Sequence, residues 1–324
     1  VRQPCVLVTG AAGKTGRTVV TALAHAGVPT RALVHRPGHE DAVRACGADE
    51  VAVGDMRDRR VLKDAADGAA AIYHIAPNMS PDEVEMGEVL VSAARAAGVW
   101  RVVHHSVLRP QIEAMPHHWA KLRVEEALFR SGLDVTVLQP GPYVQNLLGG
   151  LAEVQETGEL RVPYSIDVEF AMVDLWDVAA VAARCLTEPR RPVTADQVRG
   201  SARVGLASLD DRGGDDDHSH AVYELAGPAN VSVRHYASAL GDALHRPVRP
   251  VAVPLDEWRE GARRSGLPEH AVAGLSAMFD HYDVHGLRGN GRMLRHLLRR
   301  PATDLRECLR RELRPVLVEQ RRLH

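Results

Sequence analysis

Residues 6–16, VLVTGAAGKTG, decide the fold. Val6, Leu7 and Val8 form a short apolar run of the kind that makes a buried strand. Thr9 to Gly13 turn the chain, and Lys14 opens a helix. Gly10, Gly13 and Gly16 are spaced G-x-x-G-x-x-G. Glycine in such a turn adopts positive φ without a Cβ clash and lets phosphate oxygens approach backbone N–H groups. A helix starting at the turn adds the partial positive charge of its N-terminus to the same spot. Glycine-rich turns are common, however, so the rest of the chain has to support this one.

Working outward, strand-like runs at 30–34, 50–53, 70–75, 101–105 and 134–138 alternate with helix-like segments. Six strands each followed by a helix predict an α/β fold, a doubly wound parallel sheet with helices on both faces. Right-handed crossovers then carry every strand C-terminus to one edge, where ligands bind at the switch in strand order. Residues 1–145 read as this dinucleotide-binding domain. Beyond them the alternation lapses. Residues 146–324 read as a smaller, mostly helical substrate-binding region, in which segments such as 170–186 pack back onto the first domain. The glycine- and aspartate-rich stretch at 200–220 reads as a flexible insertion. Its spacing does not fit a calcium loop, and no metal site is expected there.

The bulk numbers are those of a soluble protein: 324 residues, 45% hydrophobic, 25% charged, with a net charge of −2. That balance gives no pull toward nucleic acid or an anionic membrane. Cys5, Cys46, Cys185 and Cys308 are far apart, which argues against a disulfide framework or a zinc site. No run of 18 apolar residues occurs, and the reading is a cytoplasmic chain without an anchor. Only three of the 40 basic residues are lysines (Lys14, Lys63 and Lys121), which singles each of them out.

The strand ends carry the cofactor reading. A sheet of this kind that binds NAD usually places an acid about 20 residues past the glycine loop, on the adenosine ribose. Here His35 and Arg36 occupy that position, and a guanidinium suits a 2′-phosphate. The expected cofactor is therefore NADP(H), with Lys14 as a further phosphate contact and Asp55 toward the adenine. The expected binding set from these strand ends is Thr9, Gly10, Ala12, Gly13, Lys14, Thr15, Gly16, His35, Arg36, Asp55, Met56, Ile75, Ala76 and Pro77.

TGAAGKTG, the GDMRD after the third strand, IYHIAP, and VVHHSV before a lysine-bearing helix resemble the short-chain dehydrogenase/reductase superfamily. More narrowly they are similar to its atypical, NmrA-like branch, as are FAMVDLWDVAAVAA and YELAGPANVSVRHYASAL. The resemblance covers most of the chain and implies a Rossmann-type fold. It also implies a serine after the fifth strand and a Tyr-x-x-x-Lys on the next helix. Ser106 and Lys121 match, but His117 stands at the tyrosine position, so the usual proton donor is missing. The resemblance also implies that Lys121, Pro140 and Tyr143 join the cofactor-binding set.

Three readings follow. His117 acts as the acid, or Lys121, Ser106, water or the substrate itself supplies the proton, or the site is catalytically dead. On a helix, residues 117 and 121 share a face. The first two readings give an NADPH-dependent reductase of a ketone or quinone on a bulky aromatic, polyketide-like molecule. The third gives a non-catalytic NADP(H) sensor, and a sugar-nucleotide epimerase is disfavoured by the missing tyrosine. The expected catalytic residues are Ser106, Lys121 and His117. Ser106, His117, Tyr143 and Asn146 are expected to meet the substrate, under a roof that includes Trp258, Leu267, Leu275, Met278, Phe279 and Tyr282. His104 and His105 are adjacent on a strand and face opposite sides, so they read as core or cofactor-lining residues rather than metal ligands. A homodimer is left open.

Overall fold

A strand buried on both faces needs helices above and below it, and Cys5–Val8 is buried throughout. The computed structural model describes residues 5–188 and 218–322, with side chains described through residue 314. Its strands are β1 (Cys5–Val8), β2 (Thr30–Val34), β3 (Glu50–Val53), β4 (Ala69–His74), β5 (Arg101–His105), β6 (Asp134–Pro140), β7 (Glu159–Val162), β8 (Glu169–Phe170), β9 (Ala221–Leu225), β10 (Val231–Ser232) and β11 (Arg249–Ala252). The helices are α1 (Lys14–His25), α2 (Glu40–Ala45), α3 (Arg59–Ala66), α4 (Glu83–Ala96), α5 (Pro116–Phe129), α6 (Leu151–Thr157), α7 (Leu175–Thr187), α8 (Val233–Leu244), α9 (Leu255–Arg264), α10 (Glu269–His285), α11 (Arg292–Leu298) and α12 (Leu305–Arg322). A 3-10 turn at Val144–Gly150 follows β6.

The main sheet has the order β3-β2-β1-β4-β5-β6-β9, with every neighbouring pair parallel. The fold is a Rossmann-type α/β sandwich. Its order reverses between β1 and β4, and the crevice at their C-terminal ends is where such sheets bind ligands. One face of the sheet buries Val6, Val8, Tyr73 and Val103 against α1, α7 and α11. The small residues Ala179, Ala182 and Ala183 let α7 lie close. The other face buries Leu7, Ile72, Val102 and Val135 against α3, α4 and α5. Gly87 on α4 makes room there, because a Cβ would sit 2.8 Å from Val124 of α5.

A third apolar cluster lies beyond the C-terminal edge of the sheet. It joins Leu108, Met115, Leu160, Tyr164, Phe170, Tyr236 and Tyr282 from the β5–α5 connection and the later elements. Two small pairings, β8 with β10 and β7 with β11, tie this part together. The seventh strand of the main sheet, β9, comes from far along the chain, where the local pattern gives a strand but no neighbour. Most of the expected insertion at 200–220 lies outside the described residues. Its last part brings His218 onto Glu188, 2.8 Å away, and Thr136 donates to the His218 carbonyl. Among the described residues no helix is long and apolar enough to cross a membrane.

Candidate active site

The β1–α1 turn is built from backbone contacts that side chains would prevent. Gly10 has φ +57°, and a Cβ there would meet the Ile75 carbonyl oxygen at 2.7 Å. A Cβ on Gly16 would lie 2.3 Å from the Gly10 oxygen and 2.7 Å from Ala11 Cα. Gly13 differs: a Cβ would meet only the Gly10 oxygen, at 3.4 Å, so its bare face opens onto a cavity. α1 starts at Gly13 with no side-chain cap. Its first-turn residues Lys14, Thr15 and Gly16 border the same cavity, and the N–H groups of a first turn have no partner within their own helix. This donor set fits a pyrophosphate.

The cavity, of about 890 Å³, runs along the C-terminal edge of the sheet. It is bordered by Gly10, Ala12, Gly13, Lys14, Thr15, Gly16, His35, Met56, Ile75, Ala76, Pro77, Ser106, His117, Lys121, Pro140, Tyr143 and Asn146. Residues up to 136 positions apart in sequence thus share one surface. Three expected contacts do not border it. Thr9 is buried, and its hydroxyl lies 3.0 Å from His74 Nδ1 and accepts from the Ile75 N–H at 3.0 Å, stitching β1 to β4. Asp55 is held by Arg57 at 2.6 Å, and that hydrogen bond keeps its carboxyl below the usual range. Arg36 is exposed one residue past His35, while His39 joins His35 on the cavity rim. Lys14 reaches across the mouth to Asn146 at 2.8 Å, which gives Asn146 a partner within the protein. Burial holds the Lys14 ammonium below its ordinary pKa.

One face of α5 carries three polar side chains beside the cavity. His117, Lys121 and Glu125 follow at intervals of four and share that face. Lys121 Nζ donates to Glu83 Oε1 of α4 at 2.7 Å, and both side chains are almost fully buried. The other oxygen, Glu83 Oε2, has no hydrogen-bond partner and lies 4.0 Å from His117 Nδ1. Burial, then Lys121 and His118, push the His117 pKa down to about 3. That burial disfavours the imidazolium form of His117. Ser106, at the end of β5, donates its hydroxyl to Glu125, and the Gln139 amide lies 3.0 Å from both Glu125 oxygens.

The opposite sides of β5 diverge as strand geometry requires. His104 stacks on His74 at 5.5 Å, toward α4 and α5. His105 sits between two tyrosines, 2.6 Å from the Tyr143 hydroxyl and hydrogen-bonded to Tyr73. Burial pushes the His74 and His105 pKa values down to about 3 and holds His104 well below its ordinary value.

The outer wall of the cavity is aromatic. Tyr164, Phe170, Phe279 and Tyr282 meet with ring centroids 5.0–6.4 Å apart, and Trp258 packs on Phe279 at 4.8 Å. Leu275 and Met278 of the expected roof border the cavity; Leu267 does not. Tyr164 and Phe170 escaped the sequence reading because their short segment has no periodicity. Glu83 escaped it because nothing local links α4 to Lys121. Glu125 was legible in principle, as an acid four residues past Lys121.

The model of the NmrA-like family matches residues 3–203. The NAD(P)H azoreductase of Xenophilus azovorans is 29% identical over 279 residues, covering 85% of this chain and 86% of that protein. The (4-alkanoyl-5-oxo-2,5-dihydrofuran-3-yl)methyl phosphate reductase of Streptomyces griseus subsp. griseus is 30% identical over 276 residues, covering 84% and 85%. The NADPH-dependent quinone oxidoreductase of Escherichia coli, solved with NADPH, superposes with a TM-score of 0.76 at 24% identity, covering 95% of this chain and 99% of that one. The glycine turn, the parallel sheet and a family match over well over half its length agree, and this chain belongs to the NmrA-like family.

Proposed function

We propose that this protein is an NADPH-dependent oxidoreductase that reduces a flat, bulky aromatic acceptor, a quinone or an aromatic ketone of the polyketide kind. The observation that carries the reading is the continuity of the cavity. One surface joins the glycine turn to the aromatic wall, with Ser106, His117 and Lys121 between them. An apolar pocket with a few convergent polar groups is the usual form of a small-molecule site. The relatives named as NAD(P)H azoreductase and as a reductase of an oxo-dihydrofuran phosphate support the same class.

NADPH, when bound, supplies a hydride from its nicotinamide ring. Gly10, Gly13 and the first turn of α1 would hold its pyrophosphate. Arg36, with His35 and His39 beside it, would meet the 2′-phosphate. Lys121 carries a positive charge to the floor of the site, and Glu83 fixes its direction. Ser106 lies at the cavity edge, fully buried, with its hydroxyl turned to Glu125. His117 offers a hydrogen bond, with its imidazolium form disfavoured by burial. The aromatic wall excludes water and stacks on a planar acceptor.

The test is to follow NADPH oxidation with a panel of quinones, azo dyes and polycyclic ketones. Acceptor-dependent turnover, faster with flat aromatic members than with sugar nucleotides, is expected. Tight NADPH binding with no turnover across the panel would be the behaviour of a sensor and would overturn the proposal.

A further inference from the structure

We propose that the hydroxyls of Tyr164 and Tyr282 bond an oxygen of the acceptor at the aromatic wall, so the site selects flat molecules that carry a second oxygen besides the one reduced. This rests on the reductase reading and narrows its substrate class, from aromatic acceptors in general to quinones and other rings with several oxygens.

A tyrosine hydroxyl that enters an apolar interior normally finds a partner there, because an unpaired hydroxyl gives up water without compensation. Four of the six tyrosines follow that rule. Tyr143 lies 2.6 Å from His105 Nε2, and Tyr73 bonds the same ring. Tyr223 lies 3.0 Å from His218 Nδ1, and Tyr236 donates to the Val144 carbonyl at 2.9 Å. Tyr164 and Tyr282 are the exceptions. They are 8% and 7% exposed, and neither hydroxyl has a hydrogen-bond partner among the described residues. Neither is among the unpartnered polar atoms sealed inside the protein, so each opens onto free space, and the space both residues border is the cavity.

Packing gives no reason for the two oxygens. The rings of Tyr164 and Tyr282 meet edge to face at 5.8 Å, with Phe170 and Phe279 against both of them. Phe170 and Phe279 show that a plain phenyl ring serves in this cluster. Burial raises both phenol pKa values, with Tyr164 adding to the shift of Tyr282, so each group stays an O–H donor. Two charged residues of β7 border the same cavity, and both are already paired, Arg161 with Glu257 at 2.7 Å and Glu159 with Arg249. Free phenol donors on an aromatic face suit a carbonyl oxygen at the edge of a stacked ring.

Binding, stability and turnover test this separately. Equilibrium dialysis of the full chain compares duroquinone with durene, the same methylated ring without its two oxygens. The wild type should bind the quinone about tenfold or more tightly than the hydrocarbon. Tyr164→Phe and Tyr282→Phe should each weaken quinone binding by about threefold to tenfold, while durene and NADPH stay within about twofold. The same factors should appear in KM for the quinone, with kcat within about threefold. Since neither variant loses a bond within the protein, their Tm should equal or exceed that of the wild type, whereas Tyr236→Phe should melt lower. Unchanged quinone binding in both variants overturns the proposal, as does a wild type that binds quinone no more tightly than hydrocarbon. A Tm loss in Tyr164→Phe or Tyr282→Phe as large as in Tyr236→Phe also overturns it, by making the hydroxyl structural. Hydroxyl-dependent quinone binding without NADPH oxidation by any acceptor supports the contact and overturns the reductase reading.

Discussion

His117 shows how a residue's surroundings override its position. It occupies the place of the usual acid, yet burial and the Lys121 charge disfavour its charged form. His117→Phe should therefore lower kcat by less than about tenfold. Steady-state kinetics with one quinone measures it, and a loss of about a hundredfold or more would restore His117 as the donor. Arg36 is argued at the same scale. It is exposed, free to swing, and stands where a carboxylate would bind an unphosphorylated ribose. Arg36→Ala should weaken NADPH binding by about tenfold to a hundredfold while leaving NADH within about threefold. Titration calorimetry with both dinucleotides reads the difference, and equal losses would remove Arg36 from the 2′-phosphate.

At the scale of the element, the glycine turn separates fold from function. Gly16 packs against backbone that cannot give way, with the Gly10 oxygen 2.3 Å from where a Cβ would stand. Gly16→Ala should lower stability by about 2 kcal/mol or more, seen as a fall in Tm. Gly13 faces the cavity, and its nearest obstacle is 3.4 Å away. Gly13→Ala should keep the wild-type Tm within a few degrees and weaken NADPH binding by about tenfold or more. A Tm loss in Gly13→Ala as large as in Gly16→Ala would mean that the turn has a purely structural role. The loop after β6 is anchored in a comparable way. Gln145 bonds Asp174 at 2.7 Å and Glu312 at 3.1 Å, and Arg311 of α12 closes on Asp174 at 2.6 Å. The Arg311 guanidinium lies between the carboxylates of Asp174 and Glu312 beside Cys308, and ion pairing accounts for that cluster.

For the whole molecule, the buried histidines should contribute to the loss of stability in acid. His74, His104, His105, His117 and His118 all titrate below the ordinary histidine range when folded, chiefly because burial disfavours the charged ring. Unfolded, they titrate near pH 6.5, so between there and their folded values the unfolded chain binds more protons. Stability therefore rises with pH in that window and is lost on acidification, by up to about 1.4 kcal/mol per pH unit for each such group. The Tm should fall between about pH 7 and about pH 5, and His104→Leu should reduce proton uptake on unfolding by about one. A Tm that does not change over that range would mean the rings are already charged in the folded state.

The alternating strand and helix runs and the glycine turn were enough to specify a doubly wound sheet and a dinucleotide site, because periodicity and φ preference act over a few residues. All seven sheet strands, as strands, and the line of strand ends from Gly10 to Pro140 were legible for that reason. The place of β9 was not, since a lone five-residue run carries no information about its neighbour. The chemistry of the site was also out of reach. Ser106 and Lys121 could be named from the family resemblance, but the carboxyls that hold them come from another helix or from a buried pairing. Whether His117 is charged, where Lys121 points and what stands behind Ser106 depend on desolvation and on contacts between distant segments. Those are properties of the packed interior, and only the tertiary structure decides them.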